Sequence, residues 1–80
     1  MAGRDWSEVV EEAVRRHVDS TGDPVFTRRE LIDAELDRIV SETGSHGATP
    51  EMTLSRELQQ LRDAGVIEFV DDHGTYRLVA

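Results

Sequence analysis

A stretch of thirty residues, Thr49 to Leu78, combines a helix that has clear ends with two short strands. Thr49 is a suitable N-cap, and Pro50 occupies the first helical position, where a missing N–H group costs nothing. Gly65 then provides the residue without a side chain that commonly ends a helix. These signals predict a helix over residues 50–64.

The residues after this helix predict a β-hairpin. Segments 66–70 and 75–79 are rich in apolar and β-branched residues, and the polar turn between them includes Gly74, which can adopt a positive φ. A helix followed at once by a short hairpin is the arrangement of a recognition helix and its wing. This part of the chain therefore predicts a winged helix-turn-helix.

Two further helices are expected before this unit. Apolar residues recur at spacings of three and four, which predicts a helix over residues 6–19. Thr27 and Glu30 have the spacing of a capping box and predict a second helix over residues 28–42. Residues 25–26 could add a short strand to the edge of the later hairpin. The expected fold class is α+β, mainly helical, with all 80 residues in a single winged-helix domain.

The chain is strongly acidic and contains no lysine. Its 17 Asp and Glu residues outnumber nine arginines, which gives a net charge of −8. This balance argues against nucleic acid, because phosphate binding depends on Lys and Arg. The composition also resembles that of proteins from salt-loving archaea, and at ~1 M salt a Debye length of about 3 Å would weaken repulsion from phosphates. A GC-rich bacterial genome would favour arginine over lysine too, without explaining the acid excess.

Several classes of protein are disfavoured by composition. Cysteine is absent, which excludes disulfides and thiolate metal sites. No apolar run approaches the ~18–20 residues of a membrane span, and the acidic N-terminal segment lacks the pattern of a signal peptide. We therefore expect a cytoplasmic protein with no membrane contact.

The exposed face of the third predicted helix carries the candidate DNA-reading residues. The residues that point away from the apolar stripe are Met52, Arg56, Gln59, Gln60 and Asp63. The candidates to read bases are Thr53, Arg56, Gln59 and Gln60. Arg and Gln can form bidentate hydrogen bonds with guanine and adenine edges in a major groove. They are also good helix formers, so simple solvation is an alternative explanation.

Other polar residues are candidates for contact with phosphates. Arg28 and Arg29 begin the second helix, where exposed N–H groups favour anions, although two solvated arginines are an equally good interpretation. Thr49 begins the third helix, while His73 and Arg77 supply positive charge in the hairpin. The adjacent aspartates at the hairpin tip oppose phosphate binding.

The run LQQLRDAGVIEFVDDHGTYRL, from Leu58 to Leu78, is similar to the winged-helix domain that closes methyl-directed restriction endonucleases of the Dam-replacing type. The similarity extends upstream to Phe26, Thr27 and Leu31. It implies a winged helix whose third helix enters the major groove. In some relatives that helix recognises methylated adenine.

Two functional hypotheses follow from these patterns. The first is a sequence-specific double-stranded DNA-binding protein, such as a small transcriptional regulator, that forms a homodimer through its first helix. The second is an acidic winged-helix module that docks a basic protein partner. The three histidines lie in a helix, a loop and a turn without ligand spacing, and no phosphate-binding loop is present. We therefore expect neither an enzyme nor a cofactor.

Overall fold

A computed structural model describes residues 3–44, 49–71 and 74–79 of the chain. These residues form three helices and one three-stranded antiparallel sheet, a mainly helical α+β arrangement. No helix within these ranges is long and apolar enough to cross a membrane. The elements in chain order are α1 (Trp6–Thr21), β1 (Val25–Thr27), α2 (Arg28–Thr43), α3 (Pro50–Asp63), β2 (Ile67–Phe69) and β3 (Thr75–Leu78).

The helices differ from the predicted bounds only at their C-terminal ends. α1 continues two residues beyond 19 because the chain turns at Gly22, whose φ of 74° and N–H bond to the Val18 carbonyl form the cap. α2 is one residue longer than predicted and α3 one residue shorter. The loop closing α3 includes Gly65, which has a φ of 82°.

The capping box at the start of α2 is confirmed. The Glu30 N–H donates to Thr27 Oγ1 at 3.0 Å, and the Thr27 N–H donates to Glu30 Oε1 at 3.1 Å. Two donors at the helix N-terminus are thereby satisfied within the chain. The junction between β1 and α2 is therefore defined by the local sequence.

The sheet has the strand order β1-β3-β2. The strand expected at 25–26 forms and extends to Thr27, while the hairpin strands span 67–69 and 75–78 instead of 66–70 and 75–79. Single hydrogen bonds continue beyond both ends of the hairpin ladder, from Val79 N–H to Val66 and from Val70 N–H to Thr75. The predicted strands were therefore too long only at their ends.

The outer edge of β1 has its N–H donors occupied by side chains. Phe26 pairs with Tyr76, so hydrogen bonding alternates and the flanking Val25 and Thr27 direct their N–H groups away from β3. The Val25 N–H donates to Asp23 Oδ1 at 2.9 Å, and that of Thr27 is the capping bond to Glu30.

One apolar core receives side chains from all six elements. The buried apolar residues are Val9, Val10, Ala13, Val14, Phe26, Leu31, Ile39, Leu54, Leu58, Leu61, Ile67 and Tyr76. The predicted stripe on α3 is confirmed, since its three leucines all lie in this cluster. α1 uses its apolar face within the same core, which leaves mostly charged and polar side chains on its exposed side.

A largely buried ion pair joins α1 to α2. The Glu35 side chain is only 10% exposed, and its Oε1 accepts from Arg16 Nη2 at 2.5 Å and from Arg16 Nε at 3.1 Å. Arg15, one residue earlier, bonds to Glu11 on the exposed surface of α1. The two neighbouring arginines therefore make a buried and an exposed ion pair.

We predict that Arg16→Ala lowers the free energy of unfolding by about 2–3 kcal/mol, because it leaves the Glu35 carboxylate buried without its main partner. Arg15→Ala removes the same charge from the exposed pair and should cost about 0.5 kcal/mol or less. Urea unfolding of both variants measures the difference. Equal losses would contradict the structural role given to Glu35.

Glu57 is a destabilised carboxylate on the flank of α3. Its Oε2 is buried and accepts no hydrogen bond from any described residue. Burial raises the pKa of the Glu57 carboxyl, and the negative charge of Asp5 raises it further, with a partial offset from Arg56. The folded protein therefore holds this proton more tightly than the unfolded chain does.

This shift in pKa predicts that Glu57→Gln raises the free energy of unfolding by an amount that depends on pH. A folded pKa above the unfolded value means that stability is lost as pH rises through the folded pKa. At pH 7 the variant should gain up to about 1 kcal/mol in unfolding free energy, and the gain should disappear below about pH 4. Glu51→Gln, at an exposed position of the same helix, serves as the control in urea unfolding across pH and should show no such gain.

Candidate nucleic-acid interface

Four residues in the first two turns of α3 surround an open depression on the protein surface. Thr49, Met52, Thr53 and Arg56 line this depression, whose volume is about 280 Å³. The helical repeat brings them to one side because they recur at spacings of three and four. Met52 is 69% exposed, more than any other large apolar residue described. We call this set, with Gln59, the α3 outer face.

The two glutamines of α3 occupy different surroundings. Gln59 is exposed on the outer face. Gln60 lines a separate crevice of about 520 Å³ beside α1, together with the carboxylates of Asp5, Glu8 and Glu11. Gln59 therefore lies with the predicted reading residues, whereas Gln60 borders an acidic crevice.

Arg56 differs from every other arginine of the chain in its contacts. It forms no hydrogen bond or ion pair of 4.0 Å or less with the described residues. Seven of the nine arginines are ion-paired to carboxylates, and an eighth, Arg28, bonds to a serine. The ion-paired residues are Arg4, Arg15, Arg16, Arg29, Arg38, Arg62 and Arg77.

Carboxylates are also scarce around Arg56 on the outer face. The exposed acidic residues of α3 are Glu51 and Asp63, near its two ends. Glu57 is half-buried on the flank that faces Asp5. The central part of the face therefore presents one guanidinium with uncharged polar and apolar side chains.

Arg28 connects α2, α3 and the hairpin. Its Nε donates to Ser55 Oγ at 2.9 Å, and its backbone N–H donates to the Gly74 carbonyl at 2.8 Å. Ser55 Oγ in turn donates to the Glu51 carbonyl at 3.1 Å. Arg28 is therefore half-buried and bonded within the fold through its Nε and its backbone N–H.

The remaining sequence-predicted phosphate contacts lie apart from the outer face. Arg29 is exposed and pairs with Asp33 at 3.7 Å, and Arg77 pairs with Glu68 across the hairpin. Thr49 lies at the edge of the depression, and its side chain does not cap α3. His73 lies outside the described residues.

A second polar surface lies where α3 meets the hairpin. The Arg62 guanidinium carbon lies 4.4 Å from the centre of the Phe69 ring, and that ring packs against Tyr76. Burial raises the pKa of the Tyr76 hydroxyl, while Arg28 and Arg62 partly offset the increase. This hairpin flank therefore combines two arginines with two aromatic rings.

The tip of the hairpin contributes to its own turn. Asp71 Oδ1 accepts the Thr75 N–H at 3.3 Å, which helps to close the turn beside Gly74, whose φ is 83°. The neighbouring Asp72 lies outside the described residues. One of the two tip aspartates thus has a local structural role.

One residue of this site, Ser55, was missed as a functional candidate in the sequence. Ser55 shows no distinctive local pattern, because its bond to Arg28 joins positions far apart in the chain. Met52 carried a signal, since a long apolar side chain stands among Arg and Gln on an exposed face. Among the described residues, no three His, Asp or Glu side chains come together in a group that could hold a metal ion.

Comparison with known proteins adds no relative. No family model matches the chain, and no curated protein or solved structure shows significant similarity to it.

Proposed function

We propose that this chain is a sequence-specific double-stranded DNA-binding protein that places α3 in the major groove. The observation that carries the proposal is the environment of Arg56. It is unpaired on an exposed helix face whose central part lacks exposed carboxylates, in a chain where seven of nine arginines are ion-paired. A free guanidinium at such a position is available to an external acceptor.

The arrangement of elements supports a winged helix-turn-helix as the framework of this proposal. α2 and α3 are consecutive helices, and the β2–β3 hairpin follows α3 directly. β1 joins the hairpin through β3, and Arg28 links the start of α2 to both α3 and the hairpin. In this framework α3 is the recognition helix and the hairpin is the wing.

The chemistry of the outer face suits base edges. A guanidinium matches the two acceptors of guanine, and the amide of Gln59 matches the donor and acceptor of adenine. Thr53 adds a hydroxyl on the same side. Gln60 is a weaker candidate for base reading because it borders the acidic crevice beside α1.

Contacts with the phosphate backbone of the DNA would come from residues on the flanks of α3. Arg28 and the Thr49 hydroxyl lie nearest, and Arg62 stands on the hairpin flank. Arg29, Arg62 and Arg77 would have to exchange a carboxylate for a phosphate. All three pairs are exposed, and pairs of that kind are worth about 1 kcal/mol or less.

We predict that Arg56→Ala weakens binding to a selected duplex by about 1–3 kcal/mol and relaxes the preference for one base pair. The reason is the loss of a bidentate contact with guanine. Fluorescence anisotropy in buffer of about 1 M salt provides the measurement. Arg15→Ala, which removes the same charge from α1, is the control, and unchanged affinity for Arg56→Ala would refute the proposal.

The pairing of arginines also predicts a weak dependence of binding on salt. Two arginines without a carboxylate partner among the described residues, Arg28 and Arg56, correspond to a slope of log K against log[salt] of about −2, well below that of a protein with 6–10 phosphate contacts. Glu68→Gln should release Arg77 from its ion pair. If the hairpin lies along the phosphate backbone of the DNA, the slope of log K against log[salt] should then become steeper by about 0.9. Asp37→Asn changes the net charge equally at an exposed position on α2 and should leave the slope unaltered.

The excess of acid supports a second candidate function, docking of a basic protein partner. The 17 carboxylates outnumber the nine arginines, so a surplus remains after every ion pair is formed. Titration against random and genomic duplexes across a salt series separates the two functions. If no duplex binds at any salt concentration, docking of a basic protein is favoured.

A homodimer through α1 stays a prediction, and it would have to use the charged side of that helix.

A further inference from the structure

Met52 stands in an unfavourable environment for a residue that serves the fold alone. It does not pack against the core cluster, and most of its side chain meets solvent. Full burial of such a side chain is worth about 1.5–3 kcal/mol, most of which is forfeited here. A partner that covers it would recover this free energy.

The surroundings of Met52 restrict the shape and chemistry of such a partner. Thr49, Thr53 and Arg56 border the same depression, so the apolar thioether lies within a small polar rim. A large apolar surface would desolvate the Arg56 guanidinium without offering an acceptor. A small apolar group beside a strong acceptor fits better.

Helical geometry fixes the spacing of this pair. Met52 and Arg56 are four residues apart, so they lie on one side of α3 and about 6 Å apart along its axis. Base pairs in DNA are stacked about 3.4 Å apart. The two side chains would therefore meet bases one or two steps apart.

We propose that Met52 contacts the 5-methyl group of a pyrimidine one or two steps from the guanine that Arg56 binds. In unmodified DNA the major groove presents a methyl group only at thymine, and guanine supplies the two acceptors that a guanidinium matches. The flexible, polarisable thioether can follow the methyl group closely. This inference rests on the proposed function and adds the class of base step that α3 selects.

The test removes one methyl group at a time from the DNA. Duplexes are first selected from a random pool, and each thymine of the selected site is then replaced by uracil. Anisotropy should show a loss of about three- to tenfold at one position. At that position 5-methylcytosine should bind better than cytosine, which separates a requirement for the methyl group from one for thymine as such.

Variants of Met52 locate the contact on the protein. Met52→Ala should bind thymine and uracil duplexes equally well, whereas Met52→Leu should keep the preference for thymine. Arg15→Ala, on α1 and outside the outer face, is the control and should also keep this preference. Urea unfolding should be nearly unchanged for Met52→Ala, because the side chain is exposed and alanine favours helix.

The outcomes distinguish the inference from the proposed function. If binding requires Arg56 but no replacement of thymine by uracil changes the affinity, the inference about Met52 is overturned and the proposed function stands. The inference is also overturned if replacing thymine by uracil weakens the binding of Met52→Ala as much as that of the unsubstituted protein. Binding to no duplex at any salt concentration overturns both proposals.

Discussion

The pairing of Phe26 with Tyr76 is the interaction on which the rest of the structure depends. Their rings stack with centres 5.7 Å apart, and their backbones join β1 to β3. Since α2 and α3 lie between these strands in the sequence, the pairing closes one loop around both helices. Arg28 then adds its bonds to Ser55 and Gly74. These contacts at one end of the sheet act together with the three core leucines of α3 to place this helix beside the hairpin.

The distribution of partners among arginines explains how a chain of net charge −8 can still offer a cationic site. Exposed ion pairs such as Arg29–Asp33 add little stability, but they remove free guanidinium groups from most of the surface. Arg56 stands in the central part of α3, whose exposed carboxylates, Glu51 and Asp63, lie near its two ends. The net charge of the whole chain is thus a poor guide to the potential at this one face.

Local signals in the sequence predicted the helices well because capping and helical periodicity act over a few residues. The strand at Val25–Thr27 was only partly predicted, since its ladder depends on partners about fifty positions away. The role of Arg28 depends on Ser55 in the same way. Periodicity placed Arg56 on an exposed face, yet its lack of a partner followed only from where the other arginines found theirs. What sequence reasoning missed was therefore tertiary pairing.

The edge of β1 has a consequence for behaviour at high protein concentration. An unpaired strand edge is a template on which another chain can add a strand, and such growth leads to aggregates. Here the outward N–H groups of Val25 and Thr27 already bond to the carboxylates of Asp23 and Glu30. An incoming strand would have to displace two acidic side chains to reach these donors. The same glutamate that caps α2 therefore also covers this edge of the sheet.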